Sequence, residues 1–181
     1  MCWPKPIAIA LALLACACLP ARAQGFGRVP TAAEIKLWDI DVRGTDGYGL
    51  PAGRGDTVRG KAVFEQNCAA CHGVNGVGGI YERLAGGQGS LASDKPIKTV
   101  GSFWPYAPTL FDYIRRAMPY PTPGSLSTDD TYAVTAYILQ LNAIVPEGAV
   151  MDQGSLPKVR MPNRDGFIPE PEYRSIHNSR R

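Results

Sequence analysis

Cys68-Ala69-Ala70-Cys71-His72 decides how the rest of this chain is read. C-x-x-C-H is the attachment pattern of a c-type haem. Two thiols three positions apart lie on one side of a short helical turn, where both can form thioethers with the haem vinyl groups. The imidazole that follows is then placed to ligate the iron from the proximal side. A redox dithiol has no need of the adjacent histidine. A zinc site wants a second ligand pair, and beyond residue 72 the chain has no cysteine and only His177. The pattern predicts one covalently attached haem c, with Cys68 and Cys71 as thioether positions and His72 as proximal ligand.

The first 23 residues fit this chemistry. Lys5 precedes an apolar run over residues 7–19, and Ala21-Arg22-Ala23 supplies small residues where a signal peptidase reads. This predicts a secretory signal over residues 1–23, cleavage before Gln24 and a periplasmic location. A rival is Leu13-Leu14-Ala15-Cys16, which has the form of a lipobox and would leave a lipid anchor on Cys16. Removal of the signal takes away Cys2, Cys16 and Cys18, leaving only Cys68 and Cys71. No later stretch approaches the roughly 20 apolar residues of a spanning helix, so no integral membrane segment is expected in the mature chain. Removing Lys5 and Arg22 leaves 17 basic against 16 acidic residues. The basic residues are scattered, and nucleic acid is not an expected partner.

Residues 24–56 carry one short apolar patch (Ile35, Leu37, Trp38, Ile40) followed by Gly44-Thr45-Asp46-Gly47-Tyr48-Gly49-Leu50-Pro51. Glycine and proline at this density predict a wrapping extension rather than a packed element. From Asp56 the spacing of Val58, Ala62, Val63 and Phe64 predicts a helix running into the haem motif. Residues 73–89 form a glycine-rich loop of the kind needed where backbone passes close to a porphyrin. A short helix is predicted over residues 109–117, with Leu110, Tyr113 and Ile114 on one face, stopped by Pro119, Pro121 and Pro123. Ser127-Thr128-Asp129-Asp130 resembles a capping box with Asp in place of Glu, opening a helix to about residue 142. Residues 145–181 are again rich in proline, glycine and arginine. The domains expected are therefore the signal (1–23), an N-terminal wrapping extension (24–56), a haem domain (57–144) and a C-terminal extension (145–181).

An electron-transfer haem usually carries His and Met axial ligands, and the thioether raises its reduction potential. Met118 sits after one predicted helix and before the last, with Pro119 fixing the backbone beside it, and is the predicted distal iron ligand. Packing at the helix end is its competing role. Met161, His177 or an open site are the alternatives. Arg115 and Arg116 have three readings: pairing with haem propionates, pairing with a partner's carboxylates, or a solvated helix end.

The order of helix, C-x-x-C-H, loop, helix, Met loop and helix resembles the class I cytochromes c. That resemblance implies an all-α fold of three to four helices around one covalent haem, here with irregular N- and C-terminal extensions. It also implies that the first and last helices cross at a contact of small residues and aromatics, for which Gly60 and Phe64 can face Ala133 and Tyr137. In that family a proline soon after the motif often lends its carbonyl to the proximal histidine; residues 73–89 contain none. A narrower resemblance, over residues 37–168, is to the SoxD-type cytochrome subunits of sulfane and sulfite dehydrogenases. It rests on Gly47-Tyr48-Gly49-Leu50-Pro51, Lys98-Thr99-Val100-Gly101-Ser102-Phe103-Trp104-Pro105-Tyr106, Leu110-Phe111-Asp112-Tyr113-Ile114-Arg115-Arg116-Ala117-Met118-Pro119 and Met161-Pro162-Asn163-Arg164-Asp165-Gly166-Phe167.

This narrower resemblance implies a periplasmic electron-transfer subunit rather than the substrate-oxidising one. Its electron donor would be a molybdenum-cofactor subunit oxidising sulfane sulfur or sulfite, and its acceptor a downstream cytochrome c. Cys68, Cys71, His72 and Met118 fall on that family's haem positions. The chain departs from the best-known members in having one C-x-x-C-H rather than two. Residues 161–167 are the candidate docking segment, with a plain surface strap as the competing reading. A free electron shuttle and a ligand-binding or peroxidase-like haem protein are the alternative functions.

Overall fold

The computed structural model describes residues 27–168. The expected signal, the alternative anchor at Cys16 and His177 lie outside them. The chain divides into two units, Met1–Asp39 and Ile40–Arg181. In the first, helix α1 (Ala32–Trp38) opens with a reciprocal cap: Thr31 accepts from the Glu34 N–H, and Glu34 accepts from the Thr31 N–H. Arg28 pairs with Glu34, and this pairing, reinforced by Thr31, holds the Glu34 carboxyl down at about 2. No residue of α1 is buried.

In the second unit, helices α2 (Thr57–Asn67) and α5 (Thr128–Leu141) cross at close range. Glycine at position 60 makes the approach possible, since a Cβ there would lie 1.9 Å from the Ala133 carbonyl oxygen and 2.8 Å from the Tyr137 Cβ. Phe64 packs on Tyr137 one turn further along, with ring centroids 5.5 Å apart. This is the contact that the resemblance to the class I cytochromes c implies for those four residues. Asp56 caps α2 by accepting from the Arg59 N–H at 2.8 Å. Ser127 caps α5 by accepting from the Asp130 N–H at 3.1 Å. The Asp130 carboxylate meets the Ser127 hydroxyl at 2.7 Å, so the expected box forms around a hydroxyl instead of the capping N–H.

Between them lie helix α3 (Ala69–His72) and helix α4 (Ala107–Ala117). Helix α4 begins two residues earlier than the spacing predicts, with Pro108 in its first turn, where a missing N–H costs nothing. Its buried stripe is Ala107, Leu110, Phe111 and Ile114. Tyr113, expected on that face, is about half exposed and meets Trp104 edge-on at 5.8 Å instead.

The segments flanking this helical core join it. Strand β1 (Arg54–Asp56) pairs antiparallel with β2 (Val150–Asp152), setting Gly55 opposite Met151. Val42, Met151, Leu156 and Met161 are buried in the same core as Phe64, Phe111 and Tyr132. Residues 40–42 are fixed to α4. The Val42 N–H donates to Asp112, Arg115 donates to the Ile40 carbonyl at 3.3 Å, and Arg116 bridges Asp112 and Asp41. Through these pairings Arg115 and Arg116 hold residues 40–42 against the helix that ends at Met118.

Tyr132, fully buried, donates to the Pro51 carbonyl at 2.9 Å. Burial, aided by the Asp152 charge and opposed by Arg115, pushes its hydroxyl up to about 12. The unfolded chain ionises near the ordinary value of about 10. The stability this group contributes is therefore fully present below about pH 10 and lost as pH rises through about 12, at up to about 1.4 kcal/mol per pH unit. Tyr132→Phe is expected to cost about 1 kcal/mol at neutral pH through the lost hydrogen bond. It should also flatten the alkaline loss. Urea unfolding followed by far-UV circular dichroism at pH 8 and about pH 11 checks this; an equally steep alkaline loss in the variant would contradict it.

Candidate functional site

Cys68 ends α2, its N–H donating to the Phe64 carbonyl at 2.8 Å. Its own carbonyl then starts a new turn by accepting from Cys71 and His72 at 3.1 and 3.0 Å. This places Cys68 at the start of the single turn of α3 and Cys71 within it, three positions on. Both are half-buried and neither is in a disulfide. Burial first, and the neighbouring Cys71 second, push the Cys68 thiol up to about 11. Among the described residues no group of three or more His, Cys, Asp or Glu side chains is placed to hold a metal ion by itself.

Gly73 stops α3 with φ +78°, and a Cβ there would meet the Gly78 carbonyl oxygen at 2.1 Å. The loop that follows turns back under the motif: Gly78 N–H donates to the His72 carbonyl at 2.9 Å and Tyr81 N–H to that of Cys71 at 3.0 Å. At Gly73 and Gly79 the close neighbour is therefore backbone of the motif and its own loop, the interaction for which the missing side chain is needed. Folded this way, the loop brings the Glu82 carbonyl to 2.8 Å from His72 Nδ1. A carbonyl only accepts, so Nδ1 carries the proton and Nε2 presents its lone pair. Among the described residues the ring makes no other hydrogen bond. The orienting carbonyl that the missing proline left unassigned is that of Glu82.

Met118 is the residue at which α4 ends, its N–H donating to the Ile114 carbonyl at 3.0 Å. It is half-buried and packs, like Cys68, Ala69, Leu84 and Trp104, at the margin of the one hydrophobic core. Met161 sits inside that core at 1% exposure. Residues 163–167 lie over residues 103–106: Asn163 donates to the Phe103 carbonyl at 2.8 Å, Phe167 meets Phe103 edge-on at 5.1 Å, and Arg164 stands 5.1 Å from the Tyr106 ring.

The family model for cytochrome c matches residues 57–142. The fold superposes on a chain of the crystal structure of the sulfane dehydrogenase SoxCD from Paracoccus pantotrophus with a TM-score of 0.76 and 41% sequence identity, covering 86% of this chain and 77% of that one. The chain belongs to the cytochrome c family. Its fold is that of the class I cytochromes c, and its likeness to the SoxD-type subunit extends well beyond the matched helical segment. This cytochrome is also 30% identical over 113 residues to a thiosulfate dehydrogenase of Stutzerimonas stutzeri (strain A1501), covering 61% of this chain and 35% of the relative. It thus spans about a third of the length of that curated relative.

Membership of the family implies covalently bound haem c, and the donor set of this cytochrome fits it. Two unpaired thiols three positions apart share one helical turn, the adjacent imidazole has its protonated nitrogen tied down and the other free, and a thioether stands at the core margin. A cavity of about 760 Å³ between the start of α2 and the end of α5, lined by Thr57, Lys61, Arg83, Tyr137 and Leu141 among others, includes none of Cys68, Cys71, His72 or Met118. It is separate from the donor set. No helix among the described residues is long and apolar enough to cross a membrane.

Proposed function

We propose that this cytochrome is a periplasmic monohaem electron-transfer subunit of a dehydrogenase for sulfane sulfur or sulfite, working beside a subunit with a molybdenum cofactor. The observation that carries the reading is the 41% identity to a chain of the sulfane dehydrogenase SoxCD, maintained over 86% of this chain. Electron transfer in sulfur oxidation is the role that likeness supports. The molybdenum partner, the periplasmic location and a downstream cytochrome c as acceptor extend it.

In this reading Cys68 and Cys71 would hold the haem through thioethers, and His72 Nε2 and Met118 would ligate its iron. The bound haem supplies a one-electron carrier; oxidation of the sulfur compound belongs to the partner. The Glu82 carbonyl keeps the proton on Nδ1 and increases the basicity of the ligating nitrogen. The Met118 thioether favours reduced iron and so raises the potential.

Purification of tagged protein from exporting cells tests the proposal. The mature chain is expected to begin at Gln24, to elute with a molybdenum-cofactor subunit, and to become reduced when a sulfane sulfur compound or sulfite is added to the complex. Elution as a lone, partnerless chain that stays oxidised with both substrates would overturn it and favour the free shuttle.

A further inference from the structure

We infer that Asn142 is a positioning residue for the proximal histidine, acting through the loop that carries the Glu82 carbonyl. This rests on the reading of His72 as an iron ligand. Asn142 terminates α5 and is 3% exposed. Its amide uses its full capacity of two donors and two acceptor sites. Nδ2 donates to the carbonyls of Leu84 at 3.1 Å and Ile138 at 2.9 Å; Oδ1 accepts from Gly86 N–H at 3.1 Å and from Gln88 Nε2 at 3.4 Å. Carbonyls around one end and N–H donors around the other fix the amide's orientation. A helix cap needs only the bond within its own helix. The others reach back 54 to 58 residues to the loop after the haem motif.

Two further features surround this amide. A Cβ on Gly101 would lie 2.2 Å from Oδ1, so the chain leaves room for the amide by having no side chain there. Thr99 donates its hydroxyl to the Gly86 carbonyl, so residue 86 is held through its N–H by Asn142 and through its C=O by Thr99.

Glu82 itself is exposed, and its carbonyl is aimed by what holds the chain on either side. Upstream, the Tyr81 N–H is tied to the Cys71 carbonyl; downstream, the Leu84 and Ala85 N–H groups share the Gly76 carbonyl at 2.8 and 3.0 Å. The upstream tie belongs to the haem motif. The downstream tie, where the Val100 N–H also donates to the Leu84 carbonyl at 3.3 Å, lies in a glycine-rich loop whose side-chain bridge to the end of α5 at residues 84–86, among the described residues, is Asn142. Loosening it lets the Glu82 carbonyl drift from His72 Nδ1, weakening the hydrogen bond that makes the ligating nitrogen basic.

The test compares Asn142→Ala and the milder Gln88→Ala in haem-loaded protein with Met151→Ala, a core truncation on β2 that matches the loss of stability. The His72 Nδ1 proton, followed by NMR in the reduced state, is expected to exchange about tenfold faster in Asn142→Ala, and the reduction potential to rise as the histidine donates less. Gln88→Ala should shift both in the same direction by less, and Met151→Ala should shift neither. Wild-type exchange and potential in Asn142→Ala, or in Gln88→Ala if the alanine variant does not accumulate, would overturn the inference. A wild-type protein in which His72 does not ligate iron would instead bring down the ligand reading, and this inference with it.

Discussion

Met118→Ala is expected to leave haem attachment intact while changing the iron from low-spin to high-spin or water-ligated. The thioether-to-iron charge-transfer band should disappear, and the potential should fall by a substantial part of the roughly 0.8 V that axial ligands span. Met118 ends α4 at the core margin, half-buried and packed beside the same core as Cys68. Met161 gives the opposite outcome. At 1% exposure it is core, so Met161→Ala should keep the wild-type spectrum while costing about 2–5 kcal/mol of stability. Optical spectra and a redox titration of the two variants distinguish them, and an exchange of phenotypes would refute the assignment.

Gly60→Ala carries the largest expected effect on the fold. Alanine is the better helix former by about 1 kcal/mol, so propensity alone predicts a gain. Sterics oppose it: the new methyl would lie 1.9 Å from the Ala133 carbonyl oxygen, a backbone atom within α5 that moves only if the helix moves. Overpacking of this kind costs about 1–3 kcal/mol and occasionally more, and with three close atoms the upper end applies. A net loss of about 2 kcal/mol is expected, lowering the melting midpoint by roughly 4–8 °C. The α2–α5 crossing also sets where Cys68 emerges, so the haem-loaded fraction should fall. A thermal melt at or above the wild-type midpoint would show that the helices separate more easily than this packing allows.

The features legible in the sequence were those written in side-chain type at short range. C-x-x-C-H names its own chemistry, and the helix end at Met118 is marked by Pro119 behind it. The Gly60, Phe64, Ala133 and Tyr137 contact came with the resemblance to the class I cytochromes c rather than from local pattern. Backbone partners were not legible. The Glu82 carbonyl orients His72, but any residue has a carbonyl, and only the glycine density after Gly73 hinted that the loop turns back. The β1–β2 ladder was hidden for a related reason: Arg54-Gly55-Asp56 and Val150-Met151-Asp152 are too short to show strand alternation. Arg116 and Asp41 are 75 residues apart, beyond any local pattern. Tyr113 and Phe111 differ by two positions on α4, and the buried stripe ran through Phe111. The flanking segments, too sparse in apolar residues for a core of their own, contribute Val42, Met151, Leu156 and Met161 to the existing one.

The central claim is that one haem, bonded to Cys68 and Cys71, makes this chain an electron carrier. Proteolysis of the exported, purified protein followed by mass spectrometry tests it most directly. The account predicts one haem per chain, resistant to acid–acetone extraction and carried on the single peptide containing Cys68, Cys71 and His72. A peptide with free thiols or a Cys68–Cys71 disulfide, with the haem extracted or absent, would contradict it.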